Sequence, residues 1–177
     1  LLPLLFIIAL IILILNQFFN PGKLFFVQNR MGMNCKVFSA IKFRTMTSVK
    51  EITRKYDEPI ETNRITPLGA ILRKTRIDEL PQILNVLKYD MSMIGPRPVY
   101  YDHALEYLKS VEGYRERHSI RPGITGLSQI RLGNVESLEA VSNKANIDNY
   151  YIQNIGYIIE LKIIFNTIYI IIRGLGK

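Results

Sequence analysis

Tryptophan is absent from the 177 residues, cysteine occurs once (Cys35) and histidine twice (His103 and His118). A single cysteine excludes an intramolecular disulfide and argues against a cysteine-built zinc site. Two histidines leave little for a histidine-rich metal centre. The P-loop, the G-x-G-x-x-G fingerprint, the HExxH zinc signature and the G-x-S-x-G nucleophile elbow are all missing. Acidic residues are also in short supply, 15 against 23 Lys and Arg, for a net charge of +8. Such a balance suits anionic partners: nucleic acid, lipid headgroups or phosphorylated substrates. What the chain does have is apolar matter. Hydrophobic residues make up 48% and charged residues 21%, which fits one folded domain rather than a disordered tail. Internal repeats and low-complexity tracts are not found.

The apolar residues gather at the two ends. Leu1 to Leu15 holds no charged or polar side chain, and Asn16 and Gln17 close the run. The chain opens inside this run, which suggests a fragment. As a helix the run would reach ~22 Å, short of the ~30 Å hydrocarbon core of a bilayer. Pro3 would break or kink a helix continuing upstream. Three readings stay open: a buried helix, a span whose first part is missing, and a re-entrant or interfacial element. Asn20-Pro21-Gly22 then makes a turn, and no A-x-A-like cleavage site marks a secretory signal. At the other end, Tyr157 to Arg173 is apolar but interrupted by Glu160 and Lys162. Helical periodicity places Ile158, Leu161, Phe165, Ile168 and Ile172 near one face. That stripe suits a packing helix or one lying on a membrane surface.

Between these ends, Phe25–Gln28 and Val37–Phe43 read as strands of a hairpin with a turn over Asn29–Asn34. Ser48–Asn63 reads as a surface loop or broken helix. Thr66-Pro67 starts a helix, with Thr66 as cap and Pro67 at the first position. A second helix is expected from Asp78–Pro81 onward. Tyr101–Tyr114 and Leu138–Tyr151 are expected helices. Ile94–Pro98 and Arg121–Gly126 are expected rigid loops, given their prolines and glycines. The sum is an α-rich α+β fold.

The sharpest local feature is Asp78-Glu79 in Arg73-Lys74-Thr75-Arg76-Ile77-Asp78-Glu79-Leu80-Pro81-Gln82. Adjacent acids before a proline can be a helix cap with a dipole-complementing Glu. They can also be a carboxylate nucleophile with an acidic partner holding a divalent cation, because a carboxylate can attack phosphorus. Cations are at hand for phosphates. Arg73 lies five residues earlier, Arg97 sits between Pro96 and Pro98, Lys42 and Arg44 alternate about Phe43 on one strand face, and Arg121 opens Arg-Pro-Gly. Each alone is an ordinary surface cation; together with the acids they describe a phosphate site near lipid. Nucleic-acid binding accounts for the charge, but not for the apolar N-terminus or the acidic pair.

These residues are similar to those of a known family. KFRTM (Lys42–Met46), LRKTRIDELPQILNVL (Leu72–Leu87), DMSMIGPRP (Asp90–Pro98), RPGITG (Arg121–Gly126) and DNYY (Asp148–Tyr151) occur in order along the whole chain. They resemble the monotopic phosphoglycosyl transferases of the bacterial sugar transferase family. The resemblance implies transfer of a phosphosugar from a UDP-sugar to polyprenyl phosphate with release of UMP. It further implies a ping-pong route through a covalent intermediate, with Mg²⁺ as cofactor. Carried over by motif, Asp78 would be the nucleophile, and Glu79 would complete the dyad and help hold Mg²⁺ or organise the acceptor phosphate. Lys42, Arg73, Arg97 and Arg121 would bind phosphate, with Asp148 in support on the substrate side.

The same resemblance implies that residues 1–19 are the later half of a re-entrant membrane helix, broken at Pro3, and that residues 20–177 are the catalytic domain. The protein would sit on the cytoplasmic face of the bacterial inner membrane, in contact with lipid and with downstream glycosyltransferases, and nucleic acid is not an expected partner. Intact Asp78, Glu79 and Arg97 argue against an inactive scaffolding relative. The sugar is not legible; its recognition is expected within Arg131–Ala145. Tyr89 stands where the family commonly has Gly. Tyr is disfavoured at positive φ, so that turn is expected to be shifted or not left-handed.

Overall fold

A computed structural model describes residues 2–49, 58, 61–133 and 137–175. Most of the expected loop over 48–63 lies outside them. Helix α1 (Leu2–Phe19) carries the apolar run and continues through Asn16 and Gln17. The Asn16 side chain donates to the Gly22 carbonyl at 2.8 Å, so the polar end of α1 is tied to the turn that follows it. One stripe of α1 packs: Ile12, with Leu5, Ile8 and Ala9, meets Phe43, Leu68 and Leu72. The rest of the helix, including Phe6, Ile7, Leu10 and Phe18, is exposed. By length and composition α1 is long and apolar enough to cross a membrane.

Strands β1 (Phe25–Met31) and β2 (Val37–Phe43) form the expected antiparallel hairpin, in register from Phe25 opposite Phe43 to Met31 opposite Val37. β1 runs further than its sequence suggests. Met31 is fully buried against Ala104 and Tyr107, and its N–H donates to the Val99 carbonyl at 3.0 Å, so burial extends the strand into the expected turn. The turn itself puts Asn34 and Cys35 at positive φ.

Helix α2 (Pro67–Lys74) starts as its sequence specifies. The Thr66 hydroxyl accepts from the Gly69 N–H at 3.0 Å, and Pro67 needs no partner for its missing N–H. The second expected helix is split. Arg76 turns left-handed (φ 56°), Ile77–Gln82 form a 3-10 segment, and only Ile83–Leu87 are α-helical (α3). Pro81 inside the 3-10 segment interrupts the backbone donors that a continuous helix would need. Asp78 lies within this segment, and no side chain caps it. Asp78 is therefore not a cap, although both acids lie in the first turn of the segment.

Two expected loops contain short strands instead. β3 (Ser92–Ile94) and β4 (Gly123–Thr125) pair in parallel, Ser92 with Gly123 and Ile94 with Thr125. The glycines that argued against regular structure are what let the two chains touch. A Cβ on Gly123 would lie 2.1 Å from the Gly95 backbone nitrogen. Helices α4 (Tyr101–Ser110), α5 (Leu127–Leu132), α6 (Leu138–Gln153) and α7 (Tyr157–Ile172) complete the fold. α4 stops four residues short of expectation, because Val111 is extended and Gly113 has φ 71°. Within the expected sugar-recognition stretch Arg131–Ala145, residues 134–136 lie outside the description, and Leu138 onward is helix α6 capped by Ser137.

Tyr89 corrects another expectation: it closes α3 with φ 63°. Its N–H donates to the Val86 carbonyl, and the next two N–H groups donate to Asn85. The ring is 75% exposed, so it escapes burial in a crowded turn. Arg121 stacks over it at 5.5 Å. That contact offsets part of the ~1–2 kcal/mol cost of a left-handed non-glycine residue.

The α7 stripe resolves as well. Ile158, Leu161, Phe165, Ile168 and Ile172 all face outward, while Ile163 packs on Leu127 and Tyr151 from the opposite side.

Candidate functional site

The site forms where β2 meets the 3-10 segment and the Gly95–Pro98 loop. Its centre is Glu79, 5% exposed. Lys42 Nζ, from the end of β2, donates to Glu79 Oε1 at 2.6 Å. Arg97 forks onto both oxygens, Nη2 to Oε1 at 2.5 Å and Nη1 to Oε2 at 3.2 Å. Arg76 reaches Oε2 at 3.5 Å. Its left-handed backbone swings this guanidinium back toward Glu79, and nothing in its sequence context signals that turn.

Asp78 differs from its neighbour although the two are adjacent. It is 8% exposed, and among the described residues its carboxylate accepts no hydrogen bond. Arg73, on the last turn of α2, stands in electrostatic range of Asp78 but is half-buried and makes no hydrogen bond with described residues.

The charges follow this geometry. Burial raises the Asp78 carboxyl, Lys42 opposes, and Glu79 adds to the rise. Burial would also raise Glu79, but Arg97 and then Lys42 outweigh it and hold that carboxyl well below the usual range. Burial lowers Lys42 to about 8 against the pull of Glu79. One carboxylate is thus held ionised by the cations around it at neutral pH; the other, raised by burial, is bonded by no described residue.

The sign of the Glu79 effect makes a test. A carboxyl with a depressed folded-state value stabilises the fold above its unfolded value of about 4.3, and that contribution is lost as pH falls through the folded value. The melting-temperature advantage of the wild type over Glu79→Gln is therefore expected to be full at pH 7 and to shrink steadily below about pH 4.3. An advantage that grows on acidification would contradict the ion-pair geometry.

Two expected cations lie elsewhere. Arg44 follows the last residue of β2 and turns away from Lys42. Its guanidinium donates to the carbonyls of Lys23 (2.7 Å), Met46 (3.2 Å) and Asn20, satisfying the turn after α1. Arg121 is exposed and stacks on Tyr89 rather than joining the acidic pair.

Asp148 is 1% exposed and pairs with Arg117, Nη2 to Oδ2 at 2.7 Å and Nε to Oδ2 at 2.9 Å. Arg117 also donates to the Tyr114 hydroxyl at 3.1 Å and to the Arg97 carbonyl at 3.0 Å. On the other side of the loop, Arg30 donates to the Pro98 carbonyl at 2.9 Å. Asp148 therefore acts on the site through Arg117 and the Arg97 backbone. Arg117 and Arg76 are the residues that sequence reasoning missed.

Beside Glu79 and Arg76 opens an apolar cavity of about 160 Å³, walled by Leu4 of α1, Ile83, Met93 and Ile171 of α7. The cations around Glu79 thus adjoin a greasy space bounded by the two outward-facing apolar helices. Among the described residues no group of three or more His, Cys, Asp or Glu is placed to hold a metal ion. Both Glu79 oxygens are already engaged, which leaves Asp78 as the carboxylate of the pair able to contribute to one.

The sequence model of the family described as "Bacterial sugar transferase" matches residues 1–174. The chain belongs to the bacterial sugar transferase family. Among relatives of this bacterial sugar transferase, a UDP-N-acetylgalactosamine-undecaprenyl-phosphate N-acetylgalactosaminephosphotransferase of Aeromonas hydrophila is 38% identical over 157 residues, 89% of this chain and 37% of the relative. A UDP-glucose:undecaprenyl-phosphate glucose-1-phosphate transferase of Escherichia coli is 38% identical over 153 residues, 85% of this chain and 33% of the relative. An exopolysaccharide production protein of Rhizobium leguminosarum bv. phaseoli is 38% identical over 176 residues, covering 94% of this chain and 84% of that one. The chain spans about a third of the length of the first two relatives.

Proposed function

We propose that this sugar transferase moves a sugar-1-phosphate from a UDP-sugar to polyprenyl phosphate, through a phosphosugar carried on Asp78. The asymmetry of the acidic pair carries this reading. A carboxylate that cations fully engage orients them; a buried carboxylate that accepts no hydrogen bond from the described residues is available to attack. An Asp78 oxygen forms a bond to the β-phosphorus of the UDP-sugar. The bond from that phosphorus to the bridging oxygen breaks, and its electron pair leaves with UMP. An oxygen of polyprenyl phosphate then attacks the same phosphorus and frees Asp78. Glu79 holds Lys42 and Arg97 where the transferring phosphate must lie, so their donors are fixed before charge develops. Arg73, in electrostatic range of Asp78 and bonded by no described residue, would follow the phosphate oxygens.

Magnesium fits this site in one way. Asp78 and the substrate phosphates would supply its oxygens, in keeping with its habit of binding one or two carboxylates plus phosphate. It would add charge neutralisation on those phosphates.

The relatives' named substrates, UDP-sugars and undecaprenyl phosphate, support the same pairing of a nucleotide donor with a lipid acceptor. The apolar cavity beside Glu79 suits the first isoprene units of that acceptor. The exposed faces of α1 and α7 suit a re-entrant anchor and an interfacial helix on the cytoplasmic face of the inner membrane, where downstream glycosyltransferases would take up the product. An inactive scaffold would share the apolar helices but gain nothing from an unpartnered buried carboxylate.

The test is UMP release by the detergent-solubilised protein from a panel of UDP-sugars, with Mg²⁺ and with or without polyprenyl phosphate. One or two donors are expected to give sustained UMP release that requires the acceptor and stops on chelation of the metal. No UMP from any donor, with folded protein, would favour the scaffold.

A further inference from the structure

Lys144 is a buried cation in electrostatic range of Arg97 that the mechanism above does not use. It lies on α6 one turn before Asp148, so the two share a helix face. The residue is 8% exposed. The acid one turn away, Asp148, pairs instead with Arg117, whose two nitrogens both bond its Oδ2. Among the described residues the Lys144 ammonium makes no hydrogen bond or ion pair. The charged groups it feels most strongly are Arg117, Asp148, Arg97 and Arg30, three cations to one acid. An ammonium buried among guanidiniums, with no ion pair of its own among the described residues, is costly, and its environment is complementary to a further anion. Burial, with Arg117 adding to it, pushes this lysine down to about 7, against the pull of Asp148.

Its position says which anion. The apolar cavity opens on the Arg76–Glu79 side and is bounded by α1 and α7. Lys144 sits on α6, which contributes nothing to that cavity, beside the Arg117 that grips the Arg97 carbonyl. Arg97 thus joins Glu79, on the wall of the apolar cavity, to the cations Arg117 and Lys144. A lipid-linked acceptor phosphate belongs to the apolar side; a water-borne nucleotide belongs to the cationic one.

We infer that Lys144 binds the α-phosphate of the UDP-sugar donor and holds it as it departs in UMP. The assignment rests on the donor reading given above. In the first displacement the bridging oxygen keeps the bonding pair, so UMP leaves with a charge close to −2 and needs no proton. A cation at that phosphate is worth most as the bond breaks, and Lys144, which bonds no described residue beforehand, has no ion pair to break.

The experiment is calorimetric titration of the detergent-solubilised chain with UMP and, separately, with farnesyl phosphate as a short acceptor probe. Wild type, Lys144→Met and Lys144→Arg are compared. Lys144→Met is expected to weaken UMP at least about tenfold, ~1.4 kcal/mol. Lys144→Arg should stay within about threefold of wild type, since a guanidinium keeps the charge. Farnesyl phosphate should bind all three alike, which also shows that the methionine variant folds. Equal UMP affinity in wild type and Lys144→Met overturns the assignment and leaves the transferase reading standing. Loss of farnesyl phosphate binding along with UMP also overturns it, because it makes Lys144 a support for Arg97. A wild type that binds no UMP overturns both.

Discussion

Replacing Asp78 by Asn is expected to cut UMP release by about 10³-fold or more, an increase of ~4 kcal/mol in the barrier. The amide keeps the shape of the carboxylate but is a poor nucleophile for phosphorus. The same change should not weaken the fold. Burial raises the Asp78 carboxyl, so its ionised form costs the folded state stability at neutral pH, and that cost is relieved on protonation. The neutral amide removes a buried charge that no described residue bonds, and the melting temperature should hold or rise. Activity and stability therefore move in opposite directions, which distinguishes a nucleophile from a structural acid. Intact protein mass after incubation with donor alone gives a second readout. The wild type should gain one phosphosugar and the variant none. UMP release surviving in Asp78→Asn to within tenfold of wild type, in the units of this comparison, would sink the covalent route.

The second large effect is expected at Asp148, which reaches the acidic pair through Arg117 and the Arg97 backbone. Asp148→Asn leaves Arg117 buried with its charge uncompensated. Breaking one partner of a buried pair costs about 3–5 kcal/mol, which for a domain of this size is roughly a 10 °C fall in melting temperature. Arg117 also grips the Arg97 carbonyl, so the loss reaches the phosphate-binding fork through the backbone. The double variant Arg117→Met/Asp148→Leu separates the two consequences. With neither charge left, most of the stability should return. Activity should not, because Arg97 has lost its tether. Full activity in the stable double variant would reduce Asp148 to a packing residue.

Much of this was legible beforehand, and the reasons are local. Thr66-Pro67 announces its helix through a cap and a proline that act within one turn. The apolar run of α1 and the alternation of β2 are read from periodicity alone. Lys42, Asp78, Glu79 and Arg97 stood out as a group because a proline-flanked arginine and an acidic doublet are uncommon in a basic chain. What stayed hidden depends on contacts between distant residues. Arg117 meets Asp148 across 31 positions, and neither sequence context hints at the other. The parallel pairing of β3 with β4 involves two residues on each side, too few for a period, among glycines that ordinarily signal loops. Arg44 shares the motif of Lys42 but lies one step past the strand, where open carbonyls of the turn after α1 claim it. The outward direction of the α7 stripe could not be read because a helical period gives a face without saying what it faces. The differing fates of Asp78 and Glu79 were equally invisible, since only the 3-10 backbone decides which of two neighbouring carboxylates meets the cations.

The Gly95–Pro98 loop has ties on three sides: the Arg30 guanidinium on Pro98, the Arg117 guanidinium on Arg97, and the Gly95 and Gly123 backbones in contact. These ties come from β1, from the turn before β4 and from β4 itself, and β1 enters the core through Met31. A loop anchored in this way has no inexpensive fluctuation of its own; to open, it must carry parts of the hydrophobic core with it. Its amide protons should then exchange with solvent at the rate of global rather than local opening. Heat should silence the site and melt the protein at one temperature, without an interval in which an inactive but folded form accumulates.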